Sequence, residues 1–275
     1  MHNQHKKISP APRRSNGGFT LIELLVVVGI LSVLLALLAP AVGGTRAQAS
    51  SVKCVSNLRQ WSMFLLNYAA DHDGYFSDGV TSDTGVDVDW SRGEWASVLQ
   101  PYYSNKGGGI WTCPEARNPI AKQTYGGPHN TYQHAAPLSF SSSYGINCWV
   151  YNPLSTISNV QGRPTKDHWR CIGGISKPTQ TPLFLDSMWR GTGPGHGAKT
   201  LEPPAYNGEW IDAGAEIRHV AIKRHRDGIN AAFADHSVRY VPVTTLWSLQ
   251  WHRSYDTQSA AAIQFPAWMQ SAPGG

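Results

Sequence analysis

Apolar residues along the chain first form one long, almost unbroken run. Residues 19–42 read "FTLIELLVVVGILSVLLALLAPAV", and Glu23 is the only charged residue among them. As a helix this run would extend about 36 Å at 1.5 Å per residue. The hydrocarbon core of a bilayer is only about 30 Å thick. The pattern therefore predicts a transmembrane or otherwise buried apolar helix over residues 19–45.

A second pattern follows, in which apolar residues recur at helical spacing over residues 46–70. It predicts that the same helix continues as an amphipathic segment to about Ala70. Pro40 lies within it, and we expect a kink or local unwinding there rather than an end. We expect the apolar stripe to pack beneath a globular head. The predicted stripe consists of Val52, Val55, Leu58, Trp61 or Met63, Leu65 and Tyr68.

Beyond residue 70, short strand-like runs alternate with glycine and proline turns, as in "SSYGINCWVYN", "TPLFLDSM" and "INAAFADHSVRYVPV". This is typical of a β-rich domain. We therefore predict an α+β fold shaped like a lollipop, with one long N-terminal helix and a single β-rich head over residues 71–275. Within the last run, "INAAFA" and "SVRYV" indicate two strands joined by a tight turn at Asp235 and His236.

The distribution of charge orients the predicted helix. Four of the 23 basic residues, Lys6, Lys7, Arg13 and Arg14, lie in the first 18 residues, which contain no acidic residue. Basic residues flanking an apolar helix stay on the cytoplasmic side, so we expect the head to be exported. The rest of the chain has 19 basic against 18 acidic residues. A nucleic-acid partner is therefore not expected, because it would require a basic cluster.

The residues around the start of the apolar run carry a resemblance. Gly17 and Gly18 precede Phe19, Glu23 is the fifth residue counted from Phe19, and Pro40 is the twenty-second. This pattern resembles the type IV prepilin signal, which type IV pilins and type II secretion pseudopilins share. The resemblance implies that residues 1–18 are a leader, cleaved between Gly18 and Phe19 by a prepilin peptidase. It also implies N-methylation of Phe19 and roles of Glu23 and Pro40 in assembly.

The resemblance offers a physical reason for Glu23. An acidic residue at the centre of a membrane helix costs about 2.5–3.5 kcal/mol on insertion scales. A buried carboxylate is tolerated when a cation neutralises it. In a filament of packed helices, Glu23 of one subunit can meet the N-terminal amine of its neighbour and so set the register of assembly.

A second signature lies near the C-terminus. His225 is followed by nine residues and then by Asp235 and His236, which resembles a group of prepilin-like proteins defined by His, nine residues and Asp-Gly. The same group is indicated by "CVSNLRQW", "CPEA", "SYGIN" and "TPLFLDS". Here His236 replaces the glycine, at a steric cost if the turn needs a positive φ.

We expect His225 and Asp235 to form a hydrogen-bonded pair that holds the final hairpin. A metal site or an acid–base pair is the alternative for His225, Asp235 and His236. No nucleophile elbow, HExxH motif or phosphate loop accompanies these residues in the sequence, so we do not expect an enzyme.

Two further groups of residues are candidates for cross-links or ligands. Cys54, Cys113, Cys148 and Cys171 form an even set that favours one or two disulfides in an exported head, with three pairings open. The acidic window over residues 71–89 offers candidate calcium ligands at Asp71, Asp73 and Asp78. Because an EF-hand pattern with its closing glutamate is absent, a solvated loop without any cofactor is the main interpretation.

Together these features predict a structural pilin-like or pseudopilin subunit, assembled into a type II secretion or type IV pilus-like filament. The expected partners are prepilin peptidase, other pilin subunits and the bacterial inner membrane. The chain would cross that membrane once, with its N-terminus cytoplasmic and its head periplasmic or extracellular. An alternative is a membrane-tethered minor pilin or adhesin whose aromatic head, with much of the chain's eleven tryptophans and eleven tyrosines, binds an extracellular polymer or glycan. Aromatic residues also fill cores, and we expect most of them to do so.

Overall fold

The structure is a computed structural model in which the chain forms two compact units, Met1–Arg46 and Ala47–Gly275. For residues 38–43 only the helical backbone is described. The described residues are 19–78, 94–103, 108–117, 119–120, 123–133, 141–195, 201–212, 216–258 and 262–270.

Helix α1, Leu21–Asp71, is the long N-terminal helix that the sequence predicts. It continues through Pro40 without ending. It ends where Asp73 (φ 53°) and Gly74 (φ 83°) take left-handed conformations. The Gly74 amide then donates to the carbonyl of Ala69 at 2.7 Å, a bond typical of glycine-containing helix ends.

The C-terminal part of α1 packs within the second unit through residues spaced three or four apart. The fully buried side chains of this face include Cys54, Leu58, Trp61, Leu65 and Ala69. The predicted periodicity is therefore correct, and of the two alternatives Trp61 and Met63 it is Trp61 that is buried, whereas Met63 is 52% exposed. One member of the predicted stripe is wrong, because Val52 is 65% exposed. The positions of Val52 and Met63 on the helix face away from the packed side, so apolar character alone did not bury them.

A five-stranded sheet forms the centre of the second unit, with strand order β7-β3-β6-β8-β9. Neighbours are antiparallel except for β3 and β7, which are parallel. The strands are β3 (Tyr144–Asn147), β6 (Pro182–Asp186), β7 (Gly191–Thr192), β8 (Gly228–Phe233) and β9 (Val238–Pro242). Every residue of β3, β6 and β8 is buried. This burial on both faces explains why their sequences alternate so poorly.

Smaller elements surround the sheet. Two antiparallel pairs consist of β1 (Tyr132–Gln133) with β2 (Ser141–Ser142) and β4 (Asn159–Val160) with β5 (Arg163–Pro164). Two short helices, α2 (Glu94–Val98) and α3 (Gln100–Tyr103), follow α1 in sequence. Short 3-10 turns cover Gly108–Ile110, Thr165–Asp167, Ile172–Gly174, Glu216–His219, Val243–Ser248 and Ala267–Met269. Together with the helix and the sheet they complete the predicted α+β fold.

Aromatic side chains form much of the core. The Trp61 ring lies 4.5 Å from that of Trp111 and 5.0 Å from that of Trp95, measured between centroids. It also lies 5.9 Å from Phe184 on β6. Among the described residues, six tryptophans are fully buried: Trp61, Trp95, Trp149, Trp169, Trp247 and Trp251. The abundance of aromatic residues is therefore explained mainly by packing.

The last two strands form the predicted hairpin, with β8 and β9 paired in antiparallel register. His236 occupies its turn at φ 67°, the positive φ that a glycine at this place would adopt without strain. Asp235 stabilises the same turn, because its Oδ1 accepts hydrogen bonds from the Ser237 amide at 3.0 Å and the Ser237 hydroxyl at 2.6 Å.

Candidate functional site

The start of α1 carries a capping box built from Thr20 and Glu23. Glu23 Oε2 accepts hydrogen bonds from the Thr20 amide at 2.8 Å and from Thr20 Oγ1 at 2.7 Å. In return, Thr20 Oγ1 accepts the Glu23 amide at 3.3 Å. These reciprocal bonds satisfy donors that a helix start otherwise leaves without partners. The T-x-x-E pattern could have indicated this local role from the sequence.

The other residues of the N-terminal signature are placed as follows. Phe19 is 76% exposed, and Pro40 lies in the backbone of α1. Gly18 lies outside the described residues, as does the rest of the predicted leader. Cleavage and methylation remain predictions.

The apolar side chains from Phe19 to Leu37 are exposed on all sides of the helix. They include Leu21, Ile22, Leu24, Leu25, Val26, Val27, Val28, Ile30, Leu31, Val33, Leu34, Leu35 and Leu37. In the part of the chain that the structure describes, no helical stretch is long and apolar enough to cross a membrane. A helix that is apolar on every side nevertheless requires an apolar environment or partner helices.

A buried cluster in the second unit brings together Cys54, Cys113, Asp186 and His225. One potential ligand atom from each residue lies within 4.8 Å of the others. The His225 Nε2 atom lies 3.2 Å from Cys113 Sγ and 3.3 Å from Asp186 Oδ2. Cys54 Sγ lies 3.3 Å from the same Oδ2. Two thiols, a carboxylate and an imidazole thus converge in the core.

Four separate segments supply these side chains. Cys54 lies on the buried face of α1, and Asp186 is the last residue of β6. The Cys113 amide donates to Ser143 Oγ at 2.7 Å, which fixes the loop that carries this thiol. The His225 amide donates to the carbonyl of Gly228 at 2.9 Å, in the tight turn that enters β8. The cluster is therefore held by secondary structure and tight turns.

Arg224 is the buried counter-charge of this cluster. Its Nη1 atom lies 3.2 Å from Asp186 Oδ1, and both side chains are fully buried. Burial alone would raise the pKa of Asp186, but His225 and Arg224 together hold that pKa below its ordinary value. The Asn230 amide also donates to Asp186 Oδ2 at 2.9 Å. The carboxylate is therefore kept ionised in the core.

The pKa values of the two thiols and of the imidazole also depend on burial and on one another. Burial would lower the pKa of His225, but its bonds with Asp186 and Cys113 raise that pKa to about 10. Burial would raise the pKa of Cys113, but hydrogen bonds with Cys54 and His225 lower it to about 7. Burial raises the pKa of Cys54 well above its ordinary value. The group therefore favours a thiolate at Cys113 beside an imidazolium at His225.

A cleft of about 690 Å³ adjoins the cluster and is lined in part by Arg224 and His225. Its other lining residues include Ser51, Glu115 and Tyr240. The edge of the imidazole is therefore accessible from this cleft, although the four clustered residues are themselves buried.

The predicted pair of His225 with Asp235 is wrong. His225 contacts Asp186 and Cys113, whereas Asp235 caps its own turn through Ser237. The reason is geometric, because β8 (Gly228–Phe233) separates the two residues. A strand of that length extends about 20 Å at 3.3 Å per residue. The ends of one strand cannot form a direct pair.

The structure bears on the prediction of disulfides but does not test the prediction of a calcium site. All four cysteines are free thiols, with Cys148 buried and Cys171 partly exposed, so the expected disulfides are not formed. Asp71 accepts a hydrogen bond from the Tyr102 hydroxyl at 2.8 Å, and Asp73 lies in the turn after α1. Calcium binding by Asp71, Asp73 and Asp78 remains a prediction. The later aspartates of that window lie outside the described residues.

The sequence did not reveal the cluster as a unit. Its members are far apart, with a sequence separation of 132 positions from Cys54 to Asp186 and of 112 positions from Cys113 to His225. Local spacing therefore could not reveal a ligand set. A signal was nevertheless available, because the four residues lie in "CVSNLRQW", "CPEA", "TPLFLDS" and "HRDGIN", which are segments of the C-terminal resemblance. Asp186 was not singled out among them.

Comparison with known proteins bears on the N-terminal segment. The model of the prokaryotic N-terminal methylation motif matches residues 13–39. The type II secretion system core protein G of Aeromonas hydrophila is 33% identical over 76 residues, which are 28% of this chain. The matched region spans about half of that relative's own length (50%). No solved structure matches this chain. The N-terminal segment therefore carries a prepilin-type methylation motif, and the chain is prepilin-like.

Proposed function

We propose that this chain is a structural pilin-like subunit of a type II secretion or type IV pilus-like filament. In this proposal, prepilin peptidase cleaves between Gly18 and Phe19 at the inner membrane, and the new Phe19 amine is methylated. Residues 19–45 then leave the bilayer and pack among equivalent helices of other subunits. The second unit forms the exported surface of the filament.

The observation that carries this proposal is the exposed apolar surface of α1, which lies within the prepilin-type motif of residues 13–39. Thirteen large apolar side chains from Leu21 to Leu37 are exposed, each by at least 45%. Such a surface is stable in lipid or against other apolar helices and unfavourable in water. The similarity to a type II secretion core protein over 76 residues supports the same class of assembly.

Glu23 gives the proposal its chemical detail. One of its carboxylate oxygens, Oε2, accepts both of the bonds that Thr20 donates in the capping box. A carboxylate has two oxygens and about four acceptor sites, so it can bond locally and still receive the N-terminal amine of a neighbouring subunit. The same residue can therefore stabilise its own helix start and pair between subunits.

The alternative, an aromatic adhesin, has weaker support. Six of the tryptophans on which it rests are fully buried, and a buried ring cannot stack on an extracellular glycan. A structural subunit with a core rich in aromatic residues fits the packing better.

Intact mass of the chain from membranes and from sheared surface filaments of its native host tests processing and assembly together. We expect the wild-type chain to begin at methylated Phe19 in both fractions. Gly18→Ala should keep its leader and be absent from filaments, whereas the matched variant Gly17→Ala should be processed. Glu23→Gln should be processed but should be depleted at least about tenfold from filaments, since loss of a buried charge pair costs several kcal/mol. A full-length wild-type chain would contradict the proposal and favour a plain membrane anchor.

A further inference from the structure

We propose that Cys54, Cys113, Asp186 and His225 bind one zinc ion in the second unit. These four residues come from four distant parts of the chain, and their ligand atoms lie within 4.8 Å of one another. Two sulfurs, one nitrogen and one oxygen are a donor set that zinc takes in tetrahedral sites.

Three of the six distances between the ligand atoms are close to those of a tetrahedron around zinc. Zinc lies about 2.3 Å from sulfur and about 2.0–2.2 Å from nitrogen or oxygen, so the edges of such a tetrahedron are about 3.3–3.8 Å. Three edges can be compared directly. They measure 3.2 Å for Cys113 Sγ to His225 Nε2, 3.3 Å for His225 Nε2 to Asp186 Oδ2 and 3.3 Å for Cys54 Sγ to Asp186 Oδ2. Movements of a few tenths of an ångström would admit the ion.

The way in which His225 is used separates a metal site from a catalytic triad. In a triad, one ring nitrogen faces the nucleophile and the other is held by the carboxylate. Here the same nitrogen, Nε2, faces both the Cys113 thiol and the Asp186 carboxylate. Four ligand atoms gathered within 4.8 Å of one another are what a coordination shell needs, whereas a proton relay needs donors in a line.

The local charges also balance when zinc is bound. Two thiolates and one carboxylate carry three negative charges, and the ion supplies two positive charges. Arg224, fully buried and 3.2 Å from Asp186 Oδ1, supplies the third. A neutral set of buried charges avoids the large cost of an unpaired charge in the core. The arginine also holds Asp186 in place, as the outer partners of metal ligands do.

The identity of the ion follows from the donors. Two thiolates favour a soft or borderline cation such as Zn²⁺, whereas calcium and magnesium take oxygen ligands. Four protein ligands leave no open position for a substrate, so the site would be structural. The zinc ion would link α1 to the end of β6, to the loop that carries Cys113 and to the turn that carries His225. The cleft beside His225 would give the ion access to the site. Because the site exists only in the folded chain, binding would stabilise the fold.

Zinc content and thermal stability of the full chain, purified in detergent, test the proposal. We expect about one zinc per chain. His225→Gln and Cys113→Ser should retain at least about tenfold less, since even loss of an outer partner lowers affinity 10- to 100-fold. The matched controls are His129→Gln, which changes a histidine of the same cleft, and Cys171→Ser, which changes a cysteine outside the cluster. Both controls should keep their zinc.

A second measurement uses only the wild-type chain, in case a ligand variant fails to fold. A chelator should lower the midpoint of thermal unfolding, and added zinc, but not calcium or magnesium, should restore it. After replacement of zinc by cobalt, the absorption bands of tetrahedrally coordinated Co²⁺ would identify the thiolate ligands. The proposal is overturned if the chain contains less than about a tenth of an equivalent of zinc and gains no stability from it. A Cys54–Cys113 disulfide in the purified chain, or equal zinc in His225→Gln and His129→Gln, would overturn it as well.

Discussion

At the scale of single residues, His168 illustrates how burial changes the chemistry of a side chain. Its Nδ1 atom lies 3.1 Å from the carbonyl of Pro164. Its Nε2 atom is buried and has no hydrogen-bond partner among the described residues. The ring packs 4.4 Å from Tyr151 and 5.0 Å from Trp149. Burial, with smaller contributions from the nearby Arg163, Arg170 and His252, therefore lowers the pKa of His168 to about 3.

A dependence of stability on pH follows from this histidine. In the unfolded chain its pKa is about 6.5, so below that pH the unfolded state takes up a proton that the folded state resists. The free energy of unfolding should therefore fall as the pH drops from about 6.5 towards 3, by up to about 1.4 kcal/mol per pH unit from this residue. His168→Asn keeps a donor near Pro164 but cannot protonate, so its stability should fall less steeply.

Urea unfolding at a series of pH values, followed by tryptophan fluorescence, measures this slope. The matched control is His72→Asn, which makes the same substitution at an exposed histidine. Equal slopes for His168→Asn and the wild-type chain would contradict the buried neutral imidazole.

At the scale of elements, the hairpin β8–β9 depends on a residue that fits its turn poorly. His236 is exposed and has φ 67°. A left-handed backbone costs a non-glycine residue about 1–2 kcal/mol. Asp235 offsets part of this cost through its two bonds to Ser237. The hairpin forms because β8 is buried along its whole length and not because its turn is favourable.

Relief of this strain should stabilise the protein. Glycine removes the steric cost at residue 236 but adds about 0.5–1 kcal/mol of entropy to the unfolded state. We expect His236→Gly to raise the free energy of unfolding by about 0.5–1 kcal/mol. His236→Val should lower it, because a β-branched residue tolerates positive φ least. Thermal unfolding of both variants measures the difference, and a less stable glycine variant would contradict this account of the turn.

At the scale of the whole second unit, Arg224 joins segments that are distant in sequence. Its guanidinium donates to the carbonyls of Pro128 at 2.7 Å, Gly127 at 3.0 Å, Ser143 at 2.7 Å and Ser187 at 3.1 Å. It also pairs with Asp186 at 3.2 Å. Only a planar group with five donors can satisfy this set of acceptors. One fully buried side chain thus fixes two loops against the strand β6.

Removal of Arg224 should therefore destabilise the fold strongly. Arg224→Met would leave the Asp186 carboxylate and four carbonyls without this partner, at an expected cost of about 3–5 kcal/mol. The adjacent Lys223 is the matched control, since it forms a partly exposed pair with Asp227 at 2.8 Å. Lys223→Met should cost about 1 kcal/mol or less. Urea unfolding of the two variants measures both values, and similar costs would show that the buried pair is not a main support of the core.

Features that depend on neighbours along the chain could be predicted from the sequence. The helix α1, its end at Asp73 and Gly74, the final hairpin and the prepilin-type motif each follow from hydrophobic periodicity or from residues a few positions apart. The sequence also indicated that aromatic residues fill the core. Local steric preferences and burial patterns determine such features directly.

Features that depend on distant residues were decided only by the tertiary structure. The position of the sheet decides which face of α1 is buried, and this is why Val52 and Met63 are exposed. The partner of His225 is Asp186 rather than Asp235, because sheet pairing places the end of β6 beside the start of β8. The sequence by itself determined the helix and its N-terminal signal. The convergence of two thiols, a carboxylate and an imidazole required the folded core, since no local pattern encodes contacts across more than a hundred residues.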